Sequence, residues 1–453
     1  MYGYVRVIIL GGGGFRVPLI ARELAASGLP VGELVLYDTD PARLGVIAAV
    51  LNGLVGDSLT VTGTTDLDAA LRGAGLIFSA LRVGGLDGRV ADERTALELG
   101  VIGQETVGAG GLASAARAVP VVERLAHRIA GLAPEAWVIS MTNPAGIVTE
   151  VMARVLGERV IGVCDSPVGL IRRACGACGI DPGPSLGAVT SRVDAGYLGI
   201  NHLGWLRSLT VDGIDRLPGL LADPGRLGSF EEGRLFGPDI VRALGALPNE
   251  YLYWYYANAE SLRDVLAAGR TRGEHVRDRQ REFYAAAAGH DDPGAAARLW
   301  RDANDERNRS YFAELRTGEK AGERDEADVA AGGYESVALA LAQALAGGPE
   351  ARLILNVRNG TTIGGLPEDM VVEVPCRVTA GGAVPLPART DPSPHELGLM
   401  SVVRGCERDI AAASLSADRA DARDLALRAF AQHPLIGSLD AARVLAAAAR
   451  EST

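Results

Sequence analysis

Tyr4-Val-Arg-Val-Ile-Ile-Leu10 runs directly into Gly11-Gly-Gly-Gly14-Phe-Arg-Val-Pro18. The first segment is a continuous apolar run of strand length, and the second opens onto a helical pattern. A strand feeding a glycine turn and then a helix is the arrangement that cradles a pyrophosphate. Glycines let the backbone approach the phosphates, and free amides at the helix N-terminus attract their charge. Arg16 stands where the usual third glycine of this fingerprint would be. Asp38 adds the second half of the signal, because it ends the next strand, Leu34-Val-Leu-Tyr-Asp38. An acid at that place holds the ribose hydroxyls and repels a 2′-phosphate. These residues predict a Rossmann domain that prefers NAD to NADP; the competing reading is a plain βα turn with a helix-capping aspartate.

Outward from this stretch the pattern repeats. Strand-length apolar runs at 4–10, 33–38, 58–63, 76–81, 137–142 and 159–164 alternate with helical patterns near 17–27, 40–55, 110–132, 145–156 and 168–177. Such alternation predicts a doubly wound parallel sheet with helices on both faces. The rhythm changes after about residue 185: two β segments span Ser191 to Gly213, and a Gly/Pro/Arg-rich stretch runs to Leu247. A long helical region is expected from Glu250 to about Leu315, then an acidic, glycine-bearing mobile loop at Thr317–Gly333. A helix at 335–346, strands at 352–357 and 370–378, and helices from about 395 complete the reading. The expected organisation is an α/β Rossmann-type domain over 1–190 and an α+β domain over 191–453, the second carrying substrate, metal and oligomer contacts.

A length of 453 residues suits two domains, and 48% hydrophobic with 22% charged residues suits a globular protein. The net charge of -11 disfavours nucleic acid and anionic lipid as partners, while leaving room for a small anion held by arginines in a cleft. Five cysteines do not suggest a disulfide framework. The short N-terminal apolar run, with no small-residue cleavage site after it, predicts a soluble cytoplasmic protein.

Two polar clusters fall beyond strand ends, where a Rossmann domain builds its site: Cys164-Asp165-Ser166-Pro167 and Asn201-His202. A thiolate and an imidazole together can hold a divalent metal and leave positions for substrate oxygens. A buried cysteine and a structural histidine explain the same spacing. Cys175-Gly-Ala-Cys178 lacks a second pair and lies in a helical pattern, so it reads as structural.

At these residues the chain resembles the NAD- and metal-dependent glycosidases of glycoside hydrolase family four, most closely their 6-phospho-β-glucosidase branch. The matching segments are Gly11–Pro18, Leu36-Tyr-Asp38, Arg82-Val-Gly-Gly85 through Arg89, Gly103-Gln-Glu-Thr106 with Gly110-Gly111, and Thr142-Asn-Pro-Ala-Gly146. They continue through Gly162-Val-Cys-Asp165, Gly199-Ile-Asn-His202, Pro248-Asn-Glu-Tyr251 and Asn356 to Pro367. The resemblance implies transient oxidation at C3 of the sugar by NAD, loss of the acidified C2 proton, elimination of the aglycone, addition of water and return of the hydride, with no net redox. It implies NAD contacts at Gly11, Gly12, Gly13, Gly14, Phe15, Arg16, Asp38 and Asn143, and a metal, expected to be Mn2+, on Cys164 and His202. Tyr251 maps to the base and Asp165 to a general acid. Substrate contacts fall on Arg89, Glu105, Asn143, Asp165, Asn201 and Arg272. A 6-phosphorylated glycoside and a homo-oligomer, dimer or tetramer, are the implied partners.

The chain departs from the family pattern at Gly14 and at Arg16-Val17-Pro18, which replace a serine and Tyr-Thr-Pro, and at Tyr253, which replaces an arginine found in some relatives. Asp165 stands where the β-acting branch has asparagine and the α-acting branch aspartate, so an α-linked or nonphosphorylated substrate is the alternative. A lactate/malate-type dehydrogenase is a further rival, because Gly273-Glu-His275 imitates its catalytic triplet. A catalytically inactive NAD-binding protein would have been suggested by loss of Cys164, His202 or Tyr251, and all three are present.

Overall fold

A computed structural model describes residues 5–181, 193–290, 292–311 and 333–451. Most of the expected loop at Thr317–Gly333 lies outside them. The strands are β1 (Val5–Leu10), β2 (Val31–Tyr37), β3 (Val61–Thr64), β4 (Leu76–Ser79), β5 (Trp137–Ser140) and β6 (Val160–Gly162). Then come β7 (Val193–Ile200), β8 (Leu203–Val211), β9 (Ile214–Asp215), β10 (Leu247–Pro248), β11 (Ala351–Arg358), β12 (Val371–Thr379) and β13 (Gly382–Pro385). The first six pair in parallel in the order β3-β2-β1-β4-β5-β6, the Rossmann order. Along β1, Val7 and Ile9 pack into one core and Ile8 and Leu10 into the other, so both sheet faces are covered.

The expected α+β part does not build a sheet of its own. β11 joins β6 antiparallel, with Asn356 opposite Gly162, and the sheet continues through β12, β7, β8 and β10. Thirteen strands thus form one sheet. Backbone groups on the open side of β6 need partners, and the later strands supply them.

Among the described residues the first part holds the helices α1 (Val17–Ala26), α2 (Pro41–Val55), α3 (Leu67–Leu71), α4 (Gly85–Glu98), α5 (Gly108–Leu132), α6 (Ala145–Leu156) and α7 (Ser166–Ala177). The sequence reading missed α4, whose buried residues include the charged Arg89 and Glu93 beside Val90, Ala96 and Leu97. Charges on the inward face erase the apolar period that reveals a helix. The long helix expected from Glu250 to Leu315 is in fact several pieces, ending with Asn258–Ala268, Arg272–Ala288 and Pro293–Arg309. Gly269 breaks the run in a left-handed conformation, Thr271 and Glu274 restart it with a capping box, and Asp292 caps the last helix ahead of Pro293.

Those last two helices fasten the glycine turn. Tyr284 donates to the Gly13 carbonyl at 2.7 Å, and the Arg43 Nε reaches the same oxygen at 3.2 Å. Trp300 donates its indole N–H to the Phe15 carbonyl at 2.8 Å, and the Phe15 ring meets Phe283 edge-on at 5.3 Å. The α2 helix packs on Pro293–Arg309 so closely that a Cβ on Gly53 would lie 2.2 Å from the Pro293 carbonyl oxygen. Gly53→Ala must therefore push the two helices apart. It is expected to destabilise the protein by about 1–3 kcal/mol, the usual scale of overpacking. Urea unfolding checks this: the midpoint should fall while the slope stays constant.

Candidate active site

The glycine turn is shaped for close approach. Gly11 has a φ of +82°, and its N–H and that of Gly12 both donate to the Tyr37 carbonyl, at 2.9 and 2.7 Å. A Cβ on Gly12 would lie 2.7 Å from that of Leu36, so no larger residue fits there. Asp38 accepts the Gly13 N–H at 2.9 Å through one oxygen and the Asp40 N–H at 3.1 Å through the other. It braces the turn. The Phe15 ring is buried in the core, which leaves its main chain for a nucleotide. The buried Oδ1 of Asn143, just past β5, has no hydrogen-bond partner.

Beyond β6, the chain brings the second cluster to the same edge. Cys164 is buried; burial, then the charges of Glu373 and Asp165, push its thiol well above its usual pKa. His202 sits in the two-residue turn between β7 and β8, with a φ of +64°. Its ring stacks on Tyr251, with centroids 3.8 Å apart and planes 14° from parallel. Burial lowers the imidazole pKa to about 3, so the ring is neutral, and neither ring nitrogen has a hydrogen-bond partner. Each buried group left so costs about 1–3 kcal/mol. A divalent cation would satisfy an imidazole nitrogen and reverse every effect that disfavours the Cys164 thiolate, so the pair fits a metal. Among the described residues no cluster of three or more His, Cys, Asp or Glu side chains is placed to hold a metal alone. Remaining positions are left for substrate oxygens or water.

Tyr251 is 7% exposed and packs in an apolar cluster with Tyr253 and Trp254. Its hydroxyl nevertheless meets that of Tyr311 at 3.1 Å. Burial and then Glu250 raise its pKa well above 10, and the Tyr311 hydrogen bond opposes them. Glu250 is itself buried and accepts from the Ser166 hydroxyl at 2.7 Å; burial and then Glu232 raise its pKa.

An open cleft is lined by Tyr251 together with Arg89, Glu105, Arg272, Arg307 and Tyr311. Glu105 pairs with Arg82 at 2.8 Å and with Arg89 at 2.5 Å. Burial would raise the Glu105 carboxyl, but these two guanidinium groups hold it below the usual carboxylate range. Arg89 also pairs with Glu93 at 2.6 Å, and Glu93 accepts the Gly273 N–H at 2.8 Å, locking α4 to the helix Arg272–Ala288. Arg272 donates to Ser310 at 2.8 Å and to the Arg307 carbonyl at 2.9 Å. Burial, then Arg16 and Arg272, lower the pKa of Arg307 to about 9, and its Nε has no hydrogen-bond partner. The Arg16 guanidinium also lies 3.9 Å from Asp165.

Not every expected site residue faces this space. Asn201 turns its amide to Glu373 at 3.2 Å, and His275 of the dehydrogenase-like triplet pairs with Glu306 at 2.8 Å. Cys175 is buried in α7 and Cys178 half-buried at its end, both unpaired with another cysteine. Sequence reasoning missed Tyr311, Arg307 and Glu373. Only Glu373 had a signal: a lone carboxylate in Val371-Val-Glu-Val-Pro-Cys376, a strand otherwise apolar, requires buried partners.

The sequence profile of family 4 glycosyl hydrolases matches residues 6–177, and that of the family's C-terminal domain matches residues 197–436, more than half of the chain. The chain belongs to glycosyl hydrolase family 4. Within the family it is 28% identical to a probable 6-phospho-β-glucosidase of Bacillus subtilis over 96% of this chain and 93% of the relative. It is also 28% identical to the 6-phospho-β-glucosidase of Escherichia coli, over 98% and 94%. A crystal structure of a 6-phospho-α-glucosidase from gut microorganisms, in complex with NAD and Mn2+, superposes with a TM-score of 0.77 at 25% identity, covering 99% of this chain and 98% of that one. Both anomeric specificities therefore occur among its relatives.

In this family 4 chain, Asp38→Ala removes both a carboxylate at the ribose position and the brace on Gly13. NAD affinity is expected to fall by about 1–3 kcal/mol, the scale of a charge-assisted hydrogen bond. NADP should lose much less, since the acid that repels its 2′-phosphate is gone. Calorimetric titration with both nucleotides checks the difference; equal losses would remove Asp38 from the ribose.

Proposed function

We propose that this family 4 glycosidase hydrolyses 6-phospho-β-glucosides by transient oxidation at C3, loss of the C2 proton and elimination of the aglycone. The observation that carries the reading is the stack of His202 on Tyr251 beside the buried Cys164. It joins a base to a metal-binding pair at the edge of a nucleotide cradle. Bound NAD supplies a reversible hydride acceptor, and Mn2+ on Cys164 and His202 a Lewis acid that acidifies the C2 proton.

The chain's own residues do the rest. Tyr251 removes the C2 proton through its hydroxyl oxygen; as a neutral phenol it is a poor base, and both its burial and Glu250 make it poorer. The hydrogen bond with Tyr311 at 3.1 Å, and a cation nearby, work in the opposite direction. Asp165, on the other side of Cys164 in sequence, supplies the proton to the departing glycosidic oxygen. Arg16, 3.9 Å away, is placed to pair with the carboxylate left once that proton has gone. The arginine-lined cavity supports a phosphorylated sugar. Arg89 is answered by Glu105 and Glu93, whereas Arg307 is crowded by Arg16, Arg272 and Arg82. A phosphate dianion entering there relieves that crowding. In the same reading residues 1–190 serve the nucleotide, while 191–453 contribute His202, Tyr251 and Arg272 and associate with further copies as a dimer or tetramer. The site of action is the cytoplasm, where sugar phosphates and NAD meet; among the described residues no helix is long and apolar enough to cross a membrane.

A second reading, a 6-phospho-α-glucosidase, is favoured by Asp165 alone. Aryl α- and β-glucosides, each with and without a 6-phosphate, assayed with NAD and Mn2+, decide between them. The phosphorylated β substrate is expected to be turned over fastest. Preference for the α anomer would reverse the anomeric assignment, and equal turnover without phosphate would remove the arginine argument.

Tyr251→Phe keeps the ring stacked on His202 but removes the proton acceptor. Turnover should fall by about 10²–10⁴, the usual cost of losing a general base. NAD affinity and metal content should hold. Substrate turned over in D2O should carry deuterium at C2 of the product, and the variant should lose this exchange in step with turnover. Parent-level exchange in the variant would return Tyr251 to a packing role. No exchange in the parent enzyme would remove the elimination mechanism.

A further inference from the structure

Glu373 lies in the middle of β12 and is fully buried. Its carboxylate accepts from three donors on other strands or turns: Asn356 at 3.0 Å and Asn201 at 3.2 Å on Oε1, and the Tyr197 hydroxyl at 3.0 Å on Oε2. Across the sheet it stands opposite Gly199, near the end of β7. Asn201 is the first residue of the turn that follows, and His202 is the second.

That turn is strained. His202 is one of two described residues other than glycine with positive φ, a conformation costing an L-residue roughly 1–2 kcal/mol. Such a conformation persists only where the surroundings over-determine it, and it often marks function. On one side of His202, Leu203 pairs with Ile200 to close the hairpin; on the other, the Asn201 side chain is tied to Glu373. The imidazole's stack on Tyr251 and its two unpartnered nitrogens both depend on this one backbone conformation.

We propose that Glu373 is a positioning residue: by anchoring Asn201, it holds the hairpin turn in the left-handed conformation that presents the His202 imidazole to a divalent cation. The proposal rests on the reading of His202 as a metal ligand. It gives Asn201 a task other than substrate contact. It also assigns work to a buried carboxylate on a strand about 170 residues away in sequence, the separation of Glu373 from Asn201 being 172.

Positioning by hydrogen bonds has a signature that bulk charge does not. In Glu373→Gln the amide oxygen can take over both asparagine contacts while the amide N–H donates to the Tyr197 oxygen, so the turn keeps its anchor with no charge present. Mn2+ affinity, read by the electron paramagnetic resonance signal of free Mn2+ on the NAD-loaded protein without sugar, is the measurement. Asn201→Ala and Glu373→Ala should weaken Mn2+ binding by about 10–100-fold, the usual effect of losing a partner behind a metal ligand. NAD affinity should stay at the parent value, and Glu373→Gln should bind Mn2+ as the parent does. If Glu373→Ala fails to fold, Asn201→Ala and Glu373→Gln still decide. Parent affinity in Asn201→Ala, or a Glu373→Gln variant as weak as a His202→Ala control, overturns the proposal. Parent affinity in the His202→Ala control itself overturns the metal reading, and the proposal with it.

Discussion

A parallel sheet that stopped at β6 would expose a row of unpaired N–H and C=O groups on that strand, next to the point where Cys164 leaves it. In this chain the edge is taken by β11, antiparallel, through Asn356 opposite Gly162, and the pairing runs on to β12, β7 and β8. Backbone satisfaction is the reason the strands join, and its consequence is chemical. The β7–β8 turn carrying His202 reaches the same end of the sheet as Cys164, and Tyr251 follows from β10, the next strand along. Two polar clusters separated by 38 residues in sequence are drawn together because Gly162, Asn356, Glu373 and Gly199 stand in one row across this sheet.

Burial then sets the electrostatics of that site. His202 is kept neutral, the Cys164 thiol is driven up, and the Tyr251 hydroxyl holds its proton. Glu373 is likewise raised, to about 7, chiefly by burial, even with three donors on it. A divalent cation held there would favour the ionised forms of Cys164 and Tyr251 and take up an unpartnered nitrogen of His202. The cavity beside them has the opposite character. Its guanidinium groups crowd one another around Glu105, and an anion is what such crowding favours. A buried site suited to a cation beside a positive pocket suited to an anion fits a phosphorylated sugar.

The path from cradle to cavity is short because one helix serves both. Arg272–Ala288 begins at the sugar pocket, where Gly273 is held by Glu93, and near its end Phe283 and Tyr284 press on Phe15 and Gly13. This helix was read from the sequence as part of a longer one; its own start was legible in Thr271 and Glu274, a capping box that interrupts the run. The α4 helix was not legible at all, since Arg89 and Glu93 sit on its buried face where an apolar stripe would have announced it. Among the residues that spoil the periodic pattern, Arg89, Glu93 and Thr271 line the pocket, while Glu274 pairs with Arg94. Charged groups pointing inward obscure a helix and mark a site for the same reason.

The sequence by itself determined the Rossmann half, because the strands are apolar runs read by local periodicity and the glycine turn has few conformations open to it. It also named Cys164, His202 and Tyr251, each lying in a short segment that resembles family 4 motifs. Their juxtaposition, the anchoring of the His202 turn by Glu373, the partnership of Tyr251 with Tyr311 and the crowding around Arg307 were decided only by tertiary structure. No local rule relates Glu373 to Asn201 or Tyr311 to Tyr251. What links them is desolvation: once burial removes water, each buried polar atom must find its partner wherever the fold has brought one within reach.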